Sequence, residues 1–118
     1  MDALRNLEVW TQSSRLCVVV YRSTETCSNW SFRDQVTRSA LSVPSNIAEG
    51  YERDSPRETV RFLKIAKGSC GELWTQIHIG MQAGFVDSSI AGTLAAEVEE
   101  LSRMLQGLIG HYQRKGLS

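Results

Sequence analysis

Proline is scarce in this sequence: Pro44 and Pro56 are the only two among 118 residues. Long gaps between turn signals argue against a fold of many short strands and favour helices. A charge excess is also lacking. Thirteen Lys and Arg balance thirteen Asp and Glu, so bulk charge announces neither a nucleic-acid nor a membrane partner. The longest strictly apolar run, residues 16–21, has six members, against the roughly 20 needed to cross a bilayer. The first residues, Met1-Asp2-Ala3-Leu4-Arg5, lack the charged-then-apolar layout of a signal peptide. A cytoplasmic protein without membrane contact is the expectation. The three cysteines, Cys17, Cys27 and Cys70, include no Cys-x-x-Cys pair, which argues against a disulfide framework or a zinc site. Cys17 and Cys70 fall on apolar helical faces and read as small core residues, while Cys27 falls in a loop as a candidate free thiol. What is present is ordinary, 42% apolar and 22% charged, and suits one folded domain over residues 1–118.

Hydrophobic spacing predicts four helices, near residues 7–25, 32–53, 56–83 and 88–113. In the first, Trp10, Ser14, Cys17 and Tyr21 follow the 3–4 rhythm of one helical face, with Val18 and Val20 beside them. In the second, Phe32, Val36, Ala40, Val43, Ile47 and Tyr51 repeat in phase, and Ser31 is the expected N-cap. Pro44 interrupts that pattern without shifting its phase. Proline deletes one backbone bond and clashes with the carbonyl four residues back, so the expectation is a kinked but continuous helix. The alternative is a break at Ser42-Val43. Ser42 or Ser45 then becomes a candidate partner for the backbone groups freed near Ala40.

The next boundary is the clearest. Ser55-Pro56-Arg57-Glu58 combines a capping Ser, a Pro at the first helical position and a Glu three residues after the cap. The third helix presents Val60, Leu63, Ala66, Cys70, Leu73, Trp74, Ile77 and Met81 as its apolar face, and Gly84 suits its C-terminal left-handed position. Asp87 or Ser88 caps the fourth. There Ile90, Leu94, Val98, Leu101, Leu105, Leu108 and Tyr112 approach a coiled-coil seam, and a polar tail from Gln113 is expected to fray. The architecture these spans define is all-α: an antiparallel up-down-up-down four-helix bundle.

Catalytic signatures are not found. There is no P-loop, no nucleotide-binding glycine fingerprint, no His-Glu-x-x-His and no Gly-x-Ser-x-Gly. The two histidines, His78 and His111, have no Glu three residues before them, so a di-metal carboxylate site is not expected. No catalytic, cofactor-binding or metal-ligating residue is assigned, and an enzyme ranks last among the readings. Two polar stripes carry the functional interest. On the third helix Arg57, Arg61 and Lys64 step by four and three, with Lys67 to one side. Either this is a solvated face, or it is a strip that contacts nucleic-acid phosphates without reading sequence. Glu97, Glu99 and Glu100 lie on the fourth helix, so charge is segregated despite its zero sum. On the second helix Gln35, Ser39, Ser42, Asn46, Glu49 and Arg53 form a seam of mostly small polar residues. Gly50 and Ser39 permit close backbone approach. The seam suits a helix–helix or subunit contact; a polar lining for a ligand is the alternative.

The run Ser42-Val43-Pro44-Ser45-Asn46-Ile47-Ala48-Glu49-Gly50-Tyr51-Glu52-Arg53 resembles the four-helix-bundle family of 23S rRNA intervening-sequence proteins. That family also includes the accessory variability proteins of diversity-generating retroelements. Leu7-x-Val9-Trp10, Arg61-Phe62-Leu63-x-Ile65-Ala66-x-Gly68-Ser69, Glu72-Leu73-x-Thr75-Gln76 and Gly84-Phe85 continue the resemblance in order along nearly the whole chain. It implies a bacterial bundle that assembles into a ring-shaped homopentamer, with no established enzyme activity. It also implies, for the retroelement branch, a basic surface that binds nucleic acid and a reverse transcriptase. This chain departs from that branch in being neutral, which argues against a reverse transcriptase partner. It departs again near residues 27–32, where the family's turn is longer and more charged. The expectation is therefore a non-enzymatic homo-oligomer, left-over apolar groups such as Trp30, Phe62 and Phe85 marking its contacts. Its accessory role would involve RNA, without cofactor. A structural or protein-partner adaptor with no nucleic-acid contact is the alternative.

Overall fold

The computed structural model describes residues 1–117. The element order is α1 (Asp2–Arg5), α2 (Glu8–Ser23), α3 (Trp30–Tyr51), α4 (Pro56–Gln82) and α5 (Ser88–Gly116). Helices α2 to α5 form the up-down-up-down bundle. α2 packs on α3, α3 on α4 and α4 on α5, and α5 closes the ring on α2. The result is a rod with extents of 50 × 23 × 21 Å. α2 has 16 residues and α5 has 29, lengths of about 24 and 43 Å at 1.5 Å per residue. The α2–α5 contact is consequently the thinnest of the four.

The helix ends follow cap chemistry. Ser55 accepts from the Glu58 N–H at 3.2 Å with Pro56 at the first helical position. Asp87 accepts from the N–H groups of Ser89 and Ile90, so the carboxylate, not Ser88, caps α5. Gly84 adopts φ +80°. Around it the Phe85 N–H reaches the Gly80 carbonyl at 2.8 Å and the Gly84 N–H reaches Met81 at 3.1 Å, the paired bonds of a Schellman stop. Three boundaries differ from expectation. α3 begins at Trp30 because Asn29, not Ser31, accepts from the Phe32 N–H at 2.9 Å. Both residue types cap well; only the path of the turn chooses between them. A short α1 precedes α2, and α5 continues to Gly116 instead of fraying at Gln113; there Tyr112 packs on the core and Gly116 passes close to Pro56 at the start of α4. The last residue of the expected tail, Ser118, lies outside the described residues.

The core is a continuous stack of Val36, Ala40, Val43 and Ile47 from α3 with Leu63, Ala66, Cys70, Leu73 and Ile77 from α4. Leu94, Val98, Leu101, Leu105 and Ile109 come from α5. α2 corrects the sequence reading by one position. Val9, Ser13, Leu16 and Val20 are buried together with Cys17, while Trp10 and Ser14 sit at the boundary and Val18 and Tyr21 face outward. α2 is apolar on two sides, and its seat between α3 and α5 decides which side is enclosed. Ser13 tolerates burial because its hydroxyl donates to the Trp10 carbonyl at 3.1 Å. Tyr51, Trp74 and Ile90, which the periodicity places on apolar faces, likewise lie outside the core. Each of the described ion pairs joins residues three or four apart in the chain with exposed side chains. Such pairs contribute little, so apolar packing holds the helices together.

α3 runs unbroken through Pro44, so no break occurs at Ser42-Val43. Pro44 is itself buried. The Ser42 hydroxyl is turned toward α4, 2.8 Å from Ser69 Oγ, and Ser45 is exposed. Neither serine hydroxyl is bonded to the Ala40 carbonyl in the structure.

Cys17 and Cys70 are buried and free, as their positions on apolar faces suggested. Burial pushes the Cys17 thiol up and the Cys70 thiol up to about 11. A raised pKa keeps both as unreactive thiols at pH 8. Cys27 is half-exposed in the turn before α3. Titration of the native protein with a thiol reagent at pH 8 is expected to label Cys27 alone and quickly, with Cys17 and Cys70 reacting only after denaturation. Rapid native labelling of all three would contradict the packing of α2 and α4.

Candidate nucleic-acid interface

The lower part of α4 is set by its capped start and by its tight seat on α3. Gly50 lets the two helices approach closely: a Cβ there would lie 3.1 Å from Phe62 Cβ and 3.2 Å from the Thr59 carbonyl. Thr59 donates to the Gly50 carbonyl at 2.9 Å. With Thr59, Leu63 and Ala66 locked inward, helical geometry turns Arg57, Arg61 and Lys64 outward. The structure brings these three together along one shallow depression with Glu58 and Val60. Lys64 then shares a second groove with Lys67, Gly68, Gln106, Ile109 and Gln113. The four cations therefore form one strip leading from the start of α4 into the α4–α5 groove.

They are not equally free. Arg61 pairs with Glu58 at 3.7 Å and lies 5.4 Å over the Phe62 ring, which Arg53 covers from 4.5 Å. Lys67 Nζ donates to Gln106 Oε1 at 2.6 Å. Phe62 is thus half-buried beneath two guanidinium groups and is not a left-over apolar group. Phe85 is half-buried as well, against Phe32 with ring centroids 5.2 Å apart. Of the three proposed contact aromatics only Trp30 is widely open, at 80% exposure.

The acidic residues separate around the bundle. Glu97 and Glu100 line the α2–α5 side with Gln12 and Arg15, away from the strip. Glu99 faces the α4–α5 groove, level with Trp74 and beyond Lys67. The periodic reading placed Trp74 in the core; in the structure it lines that groove and carries His78 stacked on it, rings 5.6 Å apart and nearly parallel at 3°. His78 is exposed, as its position beside the apolar face suggested. Among the described residues no three His, Cys, Asp or Glu side chains gather as a metal site, and no helix is long and apolar enough to cross a membrane.

The polar seam on α3 resolves into parts. Ser42 joins Ser69 of α4, and Asn46 Nδ2 donates to the Ser42 carbonyl and hydroxyl at 2.8 and 3.0 Å. Ser39 is buried. Glu49 pairs with Arg53 just beyond the end of α3, and Gln35 is exposed. The Ser42–Asn46–Ser69 portion is accordingly a contact between helices of one chain.

A four-helix bundle whose second long helix carries Pro-Ser-Asn-Ile-Ala-Glu-Gly at its contact with the third, and whose third carries a basic outer strip, defines a narrow class. The chain belongs to the 23S rRNA-intervening sequence protein family, whose family model matches residues 5–107. Among solved structures it is similar to a protein of unknown function from the S23 ribosomal protein family of Bacteroides thetaiotaomicron. The TM-score is 0.80 and the identity 18%, covering 86% of this chain and 97% of that one; at this identity the likeness speaks for the fold alone. No curated protein matches the sequence.

Proposed function

We propose that this protein is a non-enzymatic, self-associating RNA-binding accessory protein that holds phosphate backbone on Arg57, Arg61, Lys64 and Lys67. The observation that carries this reading is the gathering of Arg57, Arg61 and Lys64 on one exposed face of α4 with half-buried Lys67 beside them, while Glu97 and Glu100 are turned to another side of the bundle. Clustered cations neutralise phosphates without base readout, so binding is sequence-tolerant and salt-sensitive. Family membership supports the connection to ribosomal RNA. Self-association is supported by apolar side chains left on the outside, such as Trp30 at 80% and Ile79 at 54% exposure. The resemblance gives five as the expected copy number. A ring repeats the strip on every subunit, so avidity strengthens a weak contact.

One titration tests the reading. RNA is added to the natural protein and to a variant with Arg57, Arg61 and Lys64 changed to Ala, at low and moderate salt, with light scattering on the same samples. The natural protein is expected to bind as an oligomer, with log affinity falling against log salt by about 0.7 per phosphate neutralised on a single strand. The variant is expected to keep its mass and lose most of its affinity and salt slope. Equal binding by both proteins, or none by either at low salt, would establish the strip as a solvated face and leave the protein-partner adaptor. A monomer at tens of micromolar would remove the assembly.

A further inference from the structure

We infer that the α4–α5 groove is a binding site for single-stranded RNA in which an unpaired base stacks on Trp74 while the adjoining phosphates rest on Lys64 and Lys67. This rests on the reading of the basic strip given above, and extends it to a class of RNA and a base-contacting residue.

The placement follows from helical phase. Lys64, Lys67, Gly71, Trp74 and His78 step by three, four, three and four along α4, so they share one outward line. Trp74 stands two turns beyond Lys67, about 10 Å along the axis. Two neighbouring depressions follow one another along the α4–α5 seam: Lys64 and Lys67 border the lower, where Lys67 Nζ reaches Gln106 of α5, and Gly71, Trp74 and Thr75 border the upper, opposite Glu99 and Ser102. The line thus passes from cations to an aromatic ring, the two parts from which single-strand sites are built.

Three local features suit the ring to a base. Trp74 lines the depression and keeps 39% of its surface exposed with His78 stacked on the ring. His78 stacks on it almost parallel and restrains its rotation, which lowers the entropy lost when a base packs against it. Between Lys67 and Trp74 stands Gly71, where an added Cβ would meet nothing within 4 Å. The chain leaves space there for a sugar to cross the helix.

Charge then sets the register. Glu99 lies across the groove from Trp74 and repels phosphate at that point. The group beside Trp74 must be an uncharged base, with phosphates confined to the Lys64–Lys67 portion. A duplex does not satisfy this arrangement, because its bases are paired and stacked within the helix and an A-form surface offers chiefly phosphates and sugars.

The test uses the full chain and fluorescein-labelled RNA of about 12 nucleotides, a length within the usual range for such sites. One probe is single-stranded and the other a duplex, and anisotropy is read for the natural protein, Trp74→Ala and Trp74→Phe. Trp74→Ala is expected to bind the single strand about tenfold more weakly, with its salt slope and its duplex binding unchanged. Trp74→Phe, which keeps a flat ring, is expected to recover most of the loss. Circular dichroism and light scattering on each variant establish fold and mass. If Trp74→Ala binds the single strand as well as the natural protein does, while the Arg57, Arg61 and Lys64 variant loses binding, the stacking site is overturned and the basic strip stands. If the natural protein binds neither probe at low salt, both readings fail. If Trp74→Ala changes the oligomer mass and not the affinity, the groove is a contact between copies of this chain and the inference is likewise overturned.

Discussion

Leu105→Ala is expected to cost about 2–5 kcal/mol of stability. Leu105 is fully enclosed, with none of its surface exposed, and it belongs to the core that α3, α4 and α5 build together. Truncation removes the transfer energy of the lost carbons and leaves a cavity that three long helices cannot readily close. A small domain has a total stability of about 5–15 kcal/mol, so the loss is a large share of it. Urea denaturation at one fixed protein concentration measures it, since self-association would otherwise shift the midpoint. Ile65→Ala serves as the comparison. Ile65 lies on the same bundle with 43% of its surface exposed, and its truncation is expected to cost under about 1 kcal/mol. Equal losses in the two variants would mean that α5 does not pack as described.

Gly80→Ala is the second large effect, and its sign runs against helix propensity. Alanine is favoured over glycine inside a helix by about 1 kcal/mol. At Gly80, however, a Cβ would lie 2.4 Å from Phe32 Cζ, 2.7 Å from Phe32 Cε1 and 3.2 Å from Val86 Cγ2. The Phe32 ring is backed by Phe85, so it cannot withdraw without disturbing the turn that joins α4 to α5. Overpacking of this kind costs about 1–3 kcal/mol, and the net outcome is expected to be destabilising. At Gly107 a Cβ meets nothing within 4 Å, and Gly107→Ala is expected to stabilise by about 0.5–1 kcal/mol. Thermal melts of the two variants should therefore move in opposite directions. Adding Phe32→Leu to Gly80→Ala should recover part of the loss, because the shorter side chain makes room for the new methyl. Stabilisation by both glycine substitutions would remove Phe32 from the surface of Gly80.

The run that most resembles the family turns out to be chiefly architectural. Asn46 binds the Ser42 carbonyl and hydroxyl, Ser42 crosses to Ser69, and Gly50 admits Thr59 and Phe62 against the α3 backbone. Its residues explain how two helices meet, and the functional proposal rests instead on α4. The basic strip there was legible because Arg57, Arg61 and Lys64 repeat at helical spacing opposite an apolar face. Trp74 was not. A periodic pattern assigns a large aromatic residue at the edge of an apolar stripe to the core, and only the structure shows Trp74 partly exposed in a depression lined also by Gly71 and Ser102.

The number, type and order of the four long helices were determined by local chemistry in the sequence. The stripes of α4 and α5, the Ser55-Pro56 start and the Gly84 stop depend on residues within a few positions of one another, and local propensity and capping act at that range. The side of α2 that is buried was decided by tertiary structure, since Val9-Ser13-Leu16-Val20 and Trp10-Ser14-Cys17-Tyr21 are both apolar enough to serve. Enclosure of the first set comes from where α3 and α5 stand, which no local pattern encodes. The same holds for the extension of α5 to Gly116, which passes close to Pro56. Each depends on a neighbour distant in sequence, whose position exists only once the helices have packed.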